Sequence, residues 1–266
     1  MFLGGVPLSG VAGLASPAQR SPVALIEPRI WSPFVDDMLP DATIRTGAIS
    51  RKDAGLRSAQ PAGEFGSVKF RIAAFPAARR WERVRASLSG CEGFGCPKAE
   101  TTLSALAAEV KPMRFVARLD HVNRRLNAAI TYTPDSRNYR QRDYWATIGE
   151  IIGRGRGDCE DYAIIKMAAL IRAGVPERSM SVVVLYDHGN RAFHAVLSVA
   201  TTSGNYILDN MRDEAYRDVS RPDYQPLYSL SADRAWIHGI RKPSLVAARA
   251  LNDLVAIAPG EGVRAD

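Results

Sequence analysis

The chain is predicted to adopt an α+β fold, in which helices precede one further helix packed on an antiparallel β-sheet. Two features predict this. Ile164, Met167, Ala168 and Ile171 recur at helical spacing between the glycine-rich stretch Gly153 to Gly157 and the stop Gly174-Val175-Pro176. Immediately downstream, Ser181 to Asp187 and Ala192 to Ala200 are β-branched, apolar runs joined by the turn His188-Gly-Asn-Arg191, and Thr202 to Asn205 turns into a third run, Tyr206 to Asp209. A helix that begins at or near Cys159 is therefore followed by strands linked through tight turns, which favours antiparallel pairing.

The other elements follow in order. Residues 1–15 are apolar and uncharged, and Ser16-Pro-Ala18 can serve as a cleavage site, so residues 1–18 are expected to be a signal segment, although the basic n-region is missing. Residues 19–65 are rich in Pro, Ser, Ala and Gly without periodicity and read as a linker or extended tail; Trp31, Phe34 and Leu39 have no register there. A helix is expected over 75–88, with Trp81, Val84 and Leu88 on one face and arginines on a solvated side. Two more are expected over 102–110 and 113–126, the second with the stripe Phe115, Leu119, Val122 and Leu126 and with His121 off it. Residues 127–143 read as a polar connection, followed by a short helix over 147–152. Trp236 and His238 lie in a late strand, and 244–257 reads as an alanine-rich helix before a frayed tail.

With 266 residues, 46% of them hydrophobic, the chain can bury one core of ordinary size. Its 35 basic and 28 acidic residues give +7, but the arginines are scattered and no nucleic-acid module appears, so nucleic acid is not an expected partner. No apolar run reaches the length of a membrane span, so no integral anchor is expected. Three cysteines make an odd number. Cys91 and Cys96 flank Glu-Gly-Phe-Gly, which can fold back and pair them, leaving Cys159 as a lone thiol in an oxidising compartment; two reduced cysteines are the alternative.

Cys159 falls in a first helical turn, where unpaired N–H groups and the dipole favour thiolate over thiol. A buried, inert cysteine is the plain alternative. Its company argues for chemistry, because His194 and Asp209 lie on hairpin-linked strands that can hold them side by side. The imidazole would take the thiol proton, and the carboxylate would fix the tautomer. His188 sits in a turn and His238 has no pattern tying it to Cys159. Asp158, Glu160 and Asp161 flank the cysteine. They can simply favour a helix N-terminus, or they can hold a hard divalent cation that relieves their mutual repulsion. The glycines of 153–157 do not make a phosphate loop; they are expected to let backbone approach the cleft, with Arg154 and Arg156 solvated or facing substrate.

Five blocks (Asp143 to Thr147, Gly157 to Tyr162, Ala173 to Pro176, Phe193 to Val196 and Leu208 to Asn210) resemble the bacterial transglutaminase-like cysteine proteinases over about residues 116–210. The resemblance implies a papain- and transglutaminase-like domain, assigned here to 66–243, with 244–266 as a C-terminal helix and tail. It places a catalytic triad on Cys159, His194 and Asp209, and calcium on Asp158, Glu160 and Asp161. It puts Tyr144 and Trp145 beside the cleft, although both can equally be core. It further implies a periplasmic endopeptidase that cleaves a large surface adhesin in biofilm control and is sequestered by an inner-membrane cyclic diguanylate receptor. Two alternatives stay open: acyl transfer to an amine by the same triad, as in a transglutaminase, and a non-catalytic binding module of the same fold.

Overall fold

The uninterrupted apolar run of Ser181–Asp187 needs cover on both faces, and it receives it. In a computed structural model, which describes residues 63–72, 76–232, 234–239 and 257–260, this run is strand β4 (Met180–Asp187) at the centre of a seven-stranded sheet. The expected signal segment, all but Gly63–Phe65 of the expected linker, and all but Ile257 of the expected helix over 244–257 lie outside the described residues. Ile257 itself is not helical.

The remaining strands of the sheet are β1 (Val68–Ile72), β5 (Ala192–Thr201), β6 (Gly204–Leu208), β7 (Tyr216–Arg217), β8 (Tyr224–Ser231) and β9 (Arg234–Gly239). They lie in the order β1-β9-β8-β4-β5-β6-β7, and every neighbouring pair is antiparallel. Side chains alternate between faces, so Val182 and Val184 join the principal core while Val183 and Leu185 join a second cluster with Val196, Ile207 and Tyr224. Phe65 and Tyr216 cover that second cluster. Strand β8 is not expected from the sequence. Pro226 interrupts its run, and the ladder slips where β4 passes it, between Val184 and Leu185, which is where a residue without an N–H is tolerated.

The helices are α1 (Pro76–Ser89), α2 (Cys96–Val110), α3 (Phe115–Ala129), α4 (Asp135–Asn138), α5 (Ile148–Arg154) and α6 (Cys159–Arg172). Trp81, Val84 and Leu88 of α1 are buried, as their spacing requires. On α3, Leu119, Val122 and Leu126 are buried, but Phe115 in the first turn is exposed. Helix α2 begins earlier than expected, because the loop closed by a Cys91–Cys96 disulfide turns straight into it.

Helix α6 is the hub. It touches α1, α2, α3, α5, β4 and β5, and every residue from Cys159 to Leu170 is buried. Ile164, Ile165, Met167 and Leu170 are wholly enclosed, each contributing about 1.5–3 kcal/mol relative to exposure. Its end is a Schellman stop. Gly174, at φ +87°, donates its N–H to Ile171 O at 2.9 Å, and the Val175 N–H bonds Leu170 O at 2.9 Å.

Candidate active site

The approach to α6 is built stepwise. Thr147 caps α5 in a reciprocal box with Glu150. Gly155, at φ +65°, ends that helix, and Arg156–Gly157 (β3) then pairs in parallel with Thr131–Tyr132 (β2). Asp158 precedes the first helical residue, Cys159. Unlike an ordinary capping aspartate, it makes no side-chain capping bond to the backbone of the helix.

The Cys159 thiol is 1% exposed and free, whereas the other two cysteines are paired. Its sulfur donates to Glu160 Oε2 at 3.4 Å. Strand β6 pairs with β5 only over Leu197–Thr201, so the Ala195 N–H is not needed on that edge and donates to the sulfur. Cys159 therefore lies against the backbone of the residue next to His194. Among the described residues no hydrogen bond joins the sulfur to the imidazole; in this conformer the thiol is turned to Glu160. Burial, and then the charge of Asp158, push the thiol well above its ordinary range, opposed by Ala195 and Glu160. The dipole alone does not make a thiolate here. It contributes about 0.3–1 kcal/mol, and burial of a charge outweighs that.

His194 and Asp209 do meet. The buried imidazole bonds Asp209 Oδ1 through Nε2 at 2.9 Å, which leaves Nδ1 for a thiol. Asp209, just past β6, is fully enclosed. It also accepts the Met211 N–H at 2.9 Å, the Tyr216 hydroxyl at 2.8 Å and the Tyr224 hydroxyl at 3.0 Å. Burial by itself would raise this carboxyl, but the His194 charge and these hydrogen bonds hold it well below the usual carboxylate range. Asn127 of α3 donates to the Asp209 carbonyl at 3.0 Å, and Asn123 donates to Arg212 O at 2.7 Å, so α3 pins the loop that carries the carboxylate.

The three carboxylates beside Cys159 are all 0% exposed. Both oxygens of Asp158, Oε1 of Glu160 and Oδ2 of Asp161 have no hydrogen-bond partner, while Asp161 Oδ1 accepts the Ala146 N–H at 3.0 Å. Two further residues join them. Ligand atoms of Asp135, Asp158 and Asp161 lie within 4.8 Å of one another, and so do those of Asp135, Asp143 and Glu160. Burial first, and then mutual repulsion, raise Asp158, Glu160 and Asp161 well above ordinary carboxyl values. A buried, all-oxygen set of this kind fits a hard divalent cation such as calcium. Asp135 and Asp143 were legible only as the two acidic residues of an otherwise basic and neutral connection over 127–143.

Other expected positions resolve differently. Trp145 is core, 1% exposed and edge-on to Trp81 at 6.4 Å, and does not line a cleft. Tyr144 is half-buried; its hydroxyl donates to Glu150 at 2.7 Å and accepts from Arg83 at 3.0 Å. Arg156 is exposed, and Arg154 lies over the Tyr139 ring at 4.7 Å. Of the glycines, Gly157 serves the site, since a Cβ there would lie 2.7 Å from Asp161 Oδ2. Gly153 instead accommodates the Phe94 ring. His188 is exposed and bonds Gln225 at 2.8 Å, His121 pairs with Glu109 at 2.8 Å, and His238 is buried between Ser67 and Ser229 at 2.7 and 2.8 Å.

The family model for bacterial transglutaminase-like cysteine proteinases matches residues 89–238, more than half of the chain. The chain belongs to that family. Its mixed architecture is the papain- and transglutaminase-like one, and as a member it is a cysteine peptidase acting on protein. Among solved structures, Legionella pneumophila LapG is 30% identical over 59% of this chain and 86% of its own, with a TM-score of 0.48. A calcium-bound form of the same LapG is 29% identical over 65% of this chain and 98% of its own, also at 0.48. A putative cysteine protease from Cytophaga hutchinsonii is 13% identical over 65% of this chain and 61% of its own, at 0.34. No curated protein matches the chain. No helix among the described residues is long and apolar enough to cross a membrane.

Proposed function

We propose that this cysteine proteinase is a calcium-dependent endopeptidase of the periplasm in which Cys159, His194 and Asp209 carry the reaction. The observation that supports it most is the His194–Asp209 pair, bonded at 2.9 Å and enclosed beside the sole free cysteine at a helix N-terminus. With Nε2–H held by Asp209, His194 Nδ1 takes the thiol proton once the thiol turns from Glu160. The thiolate then attacks the scissile carbonyl carbon, and the N–H groups of the first turn of α6 receive the developing oxyanion. Collapse breaks the C–N bond, and the imidazolium returns the proton to the leaving amine. Water, deprotonated by His194, then cleaves the thioester to the acid and restores the thiol.

Asp158, Glu160, Asp161, Asp135 and Asp143 would hold the calcium. Bound there, it would supply fixed positive charge beside a thiol that the Asp158 charge otherwise pushes up. The periplasmic reading is supported by the Cys91–Cys96 disulfide, which belongs to an oxidising compartment. We extend it to the family's expected substrate and regulator, a large surface adhesin and an inner-membrane cyclic diguanylate receptor.

Incubating purified chain with an adhesin N-terminal fragment, with calcium or chelator, tests this. A new amino terminus is expected with wild type and calcium. It should be absent with chelator and with Cys159→Ser; cleavage by Cys159→Ser would refute the assignment.

A further inference from the structure

Four residues beyond β9, Ile257–Gly260, return to Asp158, the residue that leads into α6. Ile257 and Ala258 are each 4% exposed, and Ile257 joins the principal core, so the segment is anchored. The Tyr132 hydroxyl, on β2 beside Gly157, donates to Gly260 O at 2.8 Å. Gly260 has φ +81°, and a Cβ added to it would lie 2.8 Å from Asp158 Oδ2 and 2.9 Å from Asp158 Cβ. Its backbone is thus pressed against the Asp158 carboxylate, which is 0% exposed with both oxygens unpartnered. A side chain at 260 would leave no room for that approach.

We propose that Ile257–Gly260 is the outer wall of the acidic pocket, so that a cation held by Asp135, Asp158 and Asp161 exchanges with solvent only when Pro259–Gly260 lifts. This rests on the calcium reading above and goes beyond it, assigning a retention role to a segment outside the family-matched residues 89–238. The segment covers the Asp158 carboxylate and does not stand in for substrate. Among the described residues its hydrogen bond goes to Tyr132, and none goes to Cys159, His194 or Asp209.

Calcium-loaded protein mixed with a fluorescent chelator in a stopped-flow instrument gives the release rate directly. Four chains are compared: full length, a chain ending at Ala258 that keeps the Ile257 anchor, Gly260→Val, and Tyr132→Phe. Circular dichroism checks that each is folded. The shortened chain and Gly260→Val should release calcium about tenfold faster, and Tyr132→Phe, which loses one hydrogen bond, about fivefold faster. Equal rates in folded chains overturn the wall while leaving the calcium reading intact. A full-length chain that binds no calcium overturns both. A shortened chain that gains peptidase activity at an unchanged release rate makes the segment an occupant of the substrate groove, which also overturns the wall.

Discussion

Replacing Asp209 by Asn probes the geometry that orients the base. The carboxylate accepts from His194 Nε2, the Met211 N–H and the hydroxyls of Tyr216 and Tyr224. An amide keeps one acceptor oxygen and turns the other position into a donor, so two of these four groups, either His194 and Met211 at Oδ1 or Tyr216 and Tyr224 at Oδ2, face an N–H. One buried donor left unsatisfied costs about 1–3 kcal/mol, and loss of charge from the remaining bonds brings the total to about 2–4 kcal/mol. For a domain of this size that lowers Tm by about 5–15 °C. Because the folded carboxyl lies below its unfolded value of about 3.9, the stabilisation is fully present above that value and is lost only as pH falls through the folded one. The deficit of Asp209→Asn should therefore be present at both pH 7 and pH 5, each of which lies above the carboxyl's unfolded value. Thermal unfolding at both pH values measures it, with Tyr216→Phe, which removes a single donor, as the smaller step at about 1 kcal/mol. Peptidase activity should fall about 10⁴-fold through loss of the tautomer. An Asp209→Asn protein that melts within 1 °C of wild type and retains activity, about 1 °C being under 0.5 kcal/mol here, would refute the reasoning.

Calcium should raise Tm and chelator lower it, with about 2.7 kcal/mol of stabilisation at 100-fold excess over Kd; Asp135→Asn should abolish most of the shift, and an unshifted wild type would count against the site. Lys166 is enclosed on α6 with no hydrogen bond to Nζ, which lies 5.4 Å over the Tyr162 ring, and burial pulls it down to about 7 against the opposing charges of Asp209 and Asp213. Its folded value lies below the unfolded one, so this group makes the chain more stable as pH rises from about 7 toward 10. Lys166→Met should stabilise at pH 7 by up to about 4 kcal/mol and flatten that slope in thermal melts; a lower Tm would show that the ammonium is needed. Cys91→Ser opens a loop of short span, an entropic loss of about 2 kcal/mol that differential scanning calorimetry would read as a drop of several degrees, and no drop would show that the loop is held by packing alone.

How much of this was legible follows from how local each signal is. The α6 helix, its stop at Gly174 and strands β4 to β6 are written in contiguous periodicity, and so are the positions of Cys159, His194 and Asp209. The acidic pocket is only half written. Asp158, Glu160 and Asp161 are adjacent, but Asp135 and Asp143 arrive from a connection with no period, held in place by tertiary contacts such as the Tyr144 N–H on Asp135. Tyr216 and Tyr224 reach Asp209 from β7 and β8, a short strand and a strand broken by Pro226, so neither announces itself. Gly260 can be placed against Asp158 only by the folded chain. The acidity of the thiol is only partly legible for a related reason. A dipole can be read from a helix start, whereas burial is a property of everything packed around it.

The measurement closest to the central claim is the alkylation rate of Cys159 by iodoacetamide as a function of pH, in calcium, for wild type and His194→Ala, with the labelled site mapped by mass spectrometry. Cys159 is the only free thiol. The account requires wild type to react at pH 6, with an inflection below the ordinary thiol value of about 8.5, and His194→Ala to lose that acid limb. Superimposable pH profiles for the two proteins would mean that the imidazole does not handle the thiol proton, and the assignment of this site would be wrong.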